Sequence, residues 1–172
     1  MGETIDIRPY AAADADAVRA LFVRVNRLLA PPQLAEAFEA YIARSLVEEI
    51  GRIPAYYGER QGSFWVAVLE QRIVGMFGLE AAGPGAMELR RMYVDPEARR
   101  RGIARSMLAF AEDRCRREGA REMVLSTSEI QQEALALYRA AGYRELREEI
   151  ADAASNKTVG GGIRRFHFSK AL

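Results

Sequence analysis

Arg99, Arg100, Arg101, Gly102, Ile103, Ala104 and Arg105 stand in a row behind the turn Asp95-Pro96-Glu97, and that order of residue types suits the binding of phosphate. Ala104, Met107, Leu108, Ala111 and Cys115 form an apolar stripe at helical spacing, which predicts a helix entered at Gly102-Ile103-Ala104 and stopped at Gly119. The first turn of a helix carries unpaired N–H groups and the positive end of the helix dipole, so an anion is stabilised there. Glycine lets a ligand come close to the backbone, and arginine offers planar pairs of donors matched to phosphate oxygens. The turn is not of the nucleotide-hydrolase or dinucleotide kind, because neither G-x-x-x-x-G-K-[ST] nor G-x-G-x-x-G occurs.

The segment in front of it, residues 87–94, reads as an irregular strand. Strict alternation puts Glu88, Arg90, Met92 and Val94 on one face and Leu89, Arg91 and Tyr93 on the other, which splits the apolar residues between the two. A β-bulge near residues 90–92 reconciles the pattern. Bulges re-aim side chains beside active sites and leave a backbone group unpaired.

With these residues in view, Arg99-Arg100-Arg101-Gly102-Ile103-Ala104 resembles the R/Q-x-x-G-x-G/A acetyl-coenzyme A signature of the GNAT N-acetyltransferase superfamily. Further on, the run from Gln131 through Ala134, Leu137, Tyr138 and Gly142 to Tyr143 resembles that family's N-x-x-A-x-x-L-Y-x-x-x-G-F helix. The resemblance covers residues 64–143, and within it residues 88–92 and 125–132 are similar to the camello-like branch, which acetylates cysteine conjugates or lysines. It implies acetyl-CoA as co-substrate and an amine acceptor that is a small molecule or a peptide; no metal is expected, on the residue counts given below. It also implies that Glu88 acts through water as general base and that the hydroxyl of Tyr138 points at the coenzyme sulfur. The backbone of Met92, Tyr93 and Val94 would pair with the pantetheine amides like an added strand. Gln131 stands where the family usually has an asparagine that touches the pantetheine arm. The same residue also closes a capping box, Ser128-x-x-Gln131.

The chemistry so implied makes three demands. The amine must be neutral when it attacks, the developing oxyanion needs a donor, and the departing thiolate needs a proton. A lysine-like amine has a pKa near 10.4, so a base is useful at neutral pH. Glu88 is the leading candidate and Glu80 its rival; the alternative for Glu88 is a strand carboxylate paired with Arg90. A phenol of pKa about 10 can protonate a thiolate whose conjugate acid sits near 8.5, which suits Tyr138. A buried ring with a presented hydroxyl satisfies both a core and a catalytic role. Cys115, on the helix stripe, reads as a buried hydrophobe; His167 is given no catalytic part, and Phe64 and Trp65 are assigned to the core.

The 172 residues suit one domain over 1–172, with 49% hydrophobic and 28% charged residues as in ordinary globular chains. A net charge of +1 provides no global field to recruit nucleic acid or a membrane. The arginine cluster is short and lacks the interleaved aromatics of a nucleic-acid module. One cysteine and one histidine exclude a disulfide framework and a metal site built from those residues. The chain shows no signal-peptide pattern and no run of 18 apolar residues, and is expected to be cytoplasmic; Asn156-Lys157-Thr158 is then a sequon by coincidence. Pairing of two copies into a homodimer is left open, as is an acyl-CoA-binding protein without turnover.

The elements that must hold these residues read as follows. Residues 4–9 form a strand, and a helix capped by Asp14 carries Val18, Leu21, Phe22, Val25, Leu28 and Leu29. Pro32 opens a second helix lined by Leu34, Phe38, Tyr41, Ile42, Leu46 and Ile50 and ended by Gly51; residues 53–62 read as a loop. Residues 64–69 and 73–81 make a hairpin before the irregular strand. A strand at 122–127, a helix at 131–141 and two closing strands at 143–151 and 163–169 follow the arginine-led helix, with a glycine-rich mobile loop at 152–162. The acceptor is expected between the first two helices and that loop, where Glu36, Glu39, Glu48, Glu49 and Asp152 could hold an ammonium. The fold class is α+β, a mixed, mainly antiparallel sheet of about seven strands flanked by about four helices.

Overall fold

The computed structural model describes residues 3–172. Seven strands form one sheet: β1 (Asp6–Pro9), β2 (Ser63–Leu69), β3 (Arg72–Ala81), β4 (Ala86–Val94), β5 (Glu122–Ser128), β6 (Arg144–Ala151) and β7 (Ile163–Ala171). They lie in the order β1-β2-β3-β4-β5-β7-β6. Every neighbouring pair is antiparallel except β4 and β5. Four helices of nine or more residues flank it: α1 (Ala15–Leu29), α2 (Ala35–Glu48), α4 (Ile103–Arg117) and α5 (Gln132–Ala140), with a seven-residue α3 (Ile53–Glu59) beside them.

Alternation along β2 sorts the core into two layers. Trp65, Ala67 and Leu69 join Met107, Leu108, Ala111 and Cys115 of α4 and Leu135 and Tyr138 of α5. Phe64 and Val66 join Val18, Leu21, Phe22 and Val25 of α1, Tyr41 and Ile42 of α2 and Ile53, Tyr56 and Tyr57 of α3. The expected loop at 53–62 is thus largely helix, with Ile53, Tyr56 and Tyr57 each only 2% exposed. Gly78 makes room for it, because a Cβ there would meet the Tyr57 hydroxyl oxygen at 2.3 Å. Asp14 does not cap α1 with its side chain; its carboxylate accepts from the Ala11 N–H at 2.8 Å and pairs with Arg8 of β1. Pro32 starts a short 3-10 turn ahead of α2 rather than α2 itself, and Glu49, not Gly51, is where α2 stops.

What positions the site is a split in the sheet. The parallel ladder between β4 and β5 holds only Ala86↔Glu122, Met87↔Met123 and Glu88↔Val124. Beyond these pairs the strands diverge, so residues 89–94 have no partner on their β5 side. On the other side β4 carries the expected bulge: Gly78 faces Arg90 and Met76 faces Tyr93, so that Phe77 opposes both Arg91 and Met92. Arg91 sits at φ 55, in the left-handed region, and so takes up the extra residue of the bulge.

Candidate active site

The bulge cancels the alternation for two residues and sends Arg90 and Arg91 to the same side, into the layer of α1, α2 and α3. There the carboxylate of Glu49, with no exposed side-chain surface, receives both. Arg90 Nη2 lies 2.9 Å from Oε1, Arg91 Nε donates to Oε2 at 2.8 Å, and the Tyr57 hydroxyl donates to Oε2 at 2.8 Å. Arg91 also donates to the Tyr41 hydroxyl at 2.6 Å and to the Asn156 carbonyl of the loop between β6 and β7. Arg90 reaches the Tyr56 hydroxyl and, at 3.3 Å, Glu80 Oε2. Glu49 is therefore a structural counter-ion and cannot hold an acceptor. Of the other acids expected to hold one, Glu39 is an exposed partner of Arg27 at 2.8 Å, and Glu36, Glu48 and Asp152 are exposed.

Glu88 stands across the β3–β4 ladder from Glu80. Arg90 is not its partner. Lys157, from the loop between β6 and β7, places Nζ 2.8 Å from Glu88 Oε2 and 3.3 Å from Glu80 Oε1. Burial pushes the Glu80 carboxyl up, but Arg90 and Lys157 more than offset this and hold it below the usual carboxylate range. Glu80 is spoken for on both sides, whereas Glu88, with 18% of its side chain exposed, keeps access to the cleft. A small cavity of about 80 Å³ joins Glu88 to Met92, Gln131, Tyr138, Lys157 and Arg165. Tyr138 packs its ring edge-on to Tyr143 at 5.8 Å, and burial raises its hydroxyl well above the ordinary phenol range, so it is a donor at any physiological pH. Arg165 donates to Ser126 Oγ at 2.9 Å and, among the described residues, has no carboxylate within ion-pairing distance.

A second, larger groove of about 730 Å³ meets the first at Met92, Tyr93 and Gln131. Val94, Arg99, Arg100, Gly102, Ile103, Ala104 and Arg105 line one side of it, and Ala134 and Leu137 of α5 the other. Gly102 is the N-cap of α4 at φ 74, no side chain caps that end, and Arg100 two residues earlier is at φ 64. Left-handed residues of this kind curl backbone N–H groups into a concave anion-binding nest. Asp95 braces the turn by accepting from Glu97 N at 2.9 Å and pairing with Arg24 and Arg72. Arg101 departs from expectation: its side chain leaves the groove to pair with Glu3 at 2.7 Å.

Gln131 does touch both cavities, but the capping box does not form. Helix α5 begins at Gln132 with Gln131 as its N-cap, Ser128 still belongs to β5, and Thr127 Oγ1 holds the Gln131 side chain at 3.0 Å. Cys115 is wholly buried, its thiol pushed up to about 11 by burial, and His167 of β7 lies 2.7 Å from Glu149 of the edge strand β6. Among the described residues no group of three or more His, Cys, Asp or Glu side chains could hold a metal ion, and no helix is long and apolar enough to cross a membrane.

Sequence reading missed Lys157, Arg165 and the Glu49 cluster. A signal for the last existed: Tyr41, Ser45 and Glu49 repeat every fourth residue on the apolar face of α2, and a carboxylate on a buried face demands a cationic partner.

The acetyltransferase (GNAT) family model matches residues 28–143, more than half of the chain, and the chain belongs to that family. Among curated relatives it is 35% identical over 111 residues to human N-acetyltransferase 8, covering 61% of this chain and 49% of that protein. It is 32% identical over 111 residues to zebrafish (Danio rerio) N-acetylaspartate synthetase, covering 63% of this chain and 39% of that protein. The chain thus spans about half the length, or less, of these relatives. Among solved structures it matches a GNAT acetyltransferase from Staphylococcus aureus Mu50 with a TM-score of 0.76, 19% identity and coverage of 98% and 99% of the two chains. It also matches the PaiA N-acetyltransferase from Thermoplasma acidophilum in complex with coenzyme A, with a TM-score of 0.74, 19% identity and coverage of 98% and 99%.

Proposed function

We propose that the chain transfers the acetyl group of acetyl-CoA to a primary amine, by direct attack of the amine on the thioester, and that the favoured acceptor is a small amine or amino-acid derivative carrying a carboxylate. The observation that carries this reading is the meeting of the two cavities at Met92, Tyr93 and Gln131, with the Arg99–Arg105 turn at one end and Glu88 and Tyr138 at the other. Acetyl-CoA, once bound, would supply an activated carbonyl at that junction. The nest at Arg100–Gly102 and the N-terminus of α4 suit its phosphates, and the unpaired edge of Met92, Tyr93 and Val94 offers backbone groups to its amides.

Glu88 accepts a proton from the incoming ammonium, directly or through a water, and leaves the amine neutral. Tyr138, fully protonated, donates to the departing sulfur; its raised pKa makes it a hydrogen-bond donor that stabilises the thiolate rather than a group that ionises freely. Arg165, half-buried and, among the described residues, with no carboxylate within ion-pairing distance, is the cation that suits an acceptor carboxylate. The name N-acetylaspartate synthetase, borne by one relative, supports an amine that carries carboxylates.

Coenzyme release over a panel of amines tests the proposal. Turnover should be highest for amines with a neighbouring carboxylate, and Arg165→Met should raise KM for these while leaving neutral amines little changed. Acetyl-CoA should stabilise the protein by about 2.7 kcal/mol at a hundredfold excess over Kd. Stabilisation without turnover anywhere on the panel would make the chain a coenzyme-binding protein instead, and no stabilisation at millimolar acetyl-CoA would overturn the reading altogether.

A further inference from the structure

We infer that Lys157 is itself an acetyl acceptor, modified within its own molecule; this inference rests on the transfer activity proposed above. Lys157 and Lys170 are the only lysines in a sequence with 25 basic lysine and arginine side chains. Lys170 is clamped by Glu112 at 2.7 and 3.0 Å, beside the ring of Tyr143 and away from the cleft. Lys157 is the one whose Nζ touches Glu88, lining the same cavity as Met92 and Tyr138. An arginine would satisfy Glu88 and Glu80 equally well as a charge, but only a lysine can shed its proton and become a nucleophile.

The loop presents this side chain deliberately placed rather than adrift. Its Asn156 carbonyl accepts from Arg91, Ser155 N donates to the Thr158 carbonyl at 2.9 Å, and Lys157 N donates to Ser155 Oγ at 3.1 Å. The turn so formed points Nζ at the carboxylate pair, while 46% of the side chain stays exposed, leaving it free to swing. An ammonium bound to the general base of an amine acetyltransferase stands where the acceptor's own ammonium must stand.

The step balances without a further reagent. The Lys157 ammonium gives one proton to Glu88, and the neutral nitrogen forms a C–N bond to the acetyl carbonyl carbon as the C–S bond breaks. A second proton leaves the nitrogen as the amide forms and ends on the coenzyme thiol, and Glu88 returns its proton to water. The product side chain is neutral and no longer pairs with Glu88 or Glu80, so the carboxylate pair opens to an external amine. An unmodified protein should accordingly show a lag before turnover of an external acceptor reaches its full rate.

The purified full chain, incubated with acetyl-CoA and no acceptor, is followed by intact mass and peptide mapping, and a portion of the same preparation is assayed on an external amine. One acetyl group is expected on Lys157, at a rate independent of protein concentration and about a hundredfold or more above that of Lys170. Lys157→Arg keeps the ion pair and should gain no acetyl group at the loop. Protein that arrives already acetylated at Lys157 counts as the expected product if Glu88→Gln, expressed alike, arrives without it, and against the inference if that variant carries it too. An unlabelled Lys157 in a preparation that acetylates the external amine overturns the inference and leaves the proposed function standing. Failure of both reactions overturns both. A rate that rises with protein concentration, or equal label on Lys170, also overturns it, because the acetyl group then comes from another molecule or from unassisted chemistry.

Discussion

Replacing Glu49 by alanine should be among the most damaging single changes in the molecule, although Glu49 is assigned no part in the chemistry. Its side chain is fully buried and its two oxygens accept from Arg90, Arg91 and Tyr57. Arg90 retains Glu80 at 3.3 Å, but Arg91, with 3% of its side chain exposed, loses the one carboxylate it pairs with among the described residues. Breaking a buried pair by removing one partner costs about 3–5 kcal/mol, because the remaining charge is left uncompensated. For a chain of this size each kcal/mol moves Tm by about 2–4 °C, so the expected fall is roughly 6–20 °C. Thermal and urea unfolding measure it, with Glu39→Ala as the control: Glu39 makes an ion pair of similar length, 2.8 Å, but both partners are exposed, and its loss should leave Tm where it was. The Glu49 defect should persist in high salt, since ions screen buried charges poorly. A Glu49→Ala protein melting within about 2 °C of wild type would refute the reasoning, since a single kcal/mol moves Tm by at least that much. It would mean that water reaches Arg91 and that the cluster is not closed.

Three further outcomes follow from the site. Glu88→Gln should lower the rate by roughly 10²-fold near pH 7, with partial recovery as rising pH deprotonates the amine in solution; a near-wild-type pH–rate profile would remove Glu88 from the role of base. Tyr138→Phe keeps the packed ring and should depress kcat with no comparable recovery at high pH, and a recovery like that of Glu88→Gln would show that the two roles are misassigned. A Cβ at Gly102 meets no atom within 4 Å, so the side chain of Gly102→Glu would project into the groove; acetyl-CoA affinity should collapse in titration calorimetry while far-UV circular dichroism stays native, and retained affinity would place the phosphates elsewhere.

The parts legible in the sequence were those carried by local rules. The arginine–glycine turn announces itself by residue type, and the bulge by two apolar residues on opposite parity within one strand. The structure adds that Gly102 is needed for its φ of 74 as well as for its missing Cβ. Helix α3 was not legible, because Pro54 and the glycines at 51, 58 and 62 read as punctuation, and its seven residues are held by the burial of Tyr56 and Tyr57 rather than by helix propensity. The capping box failed for a related reason. Ser128 pairs with Arg165 as the last rung of β5, so the sheet claims it before the helix can. Lys157 and Arg165 reach the cleft from the far end of the chain, and no local pattern encodes a contact of that separation.

The register of β7 against β5 has a consequence for how errors of folding are handled. Leu125 faces Phe168 and Ser128 faces Arg165 across this ladder. Phe168, 1% exposed, turns into the layer of α4 and α5, while Arg165, of opposite parity, turns into the cleft. Sliding β7 by one residue would carry Arg165 and His167 into the apolar layer and expel Phe168 from it, since a single step reverses every side chain. It would also shift the loop that brings Lys157 to Glu88. A misaligned cleft and a ruined core are thus the same event. Copies in which β7 is misregistered are unstable copies, and they drain from the native population without any device devoted to inspecting the site itself.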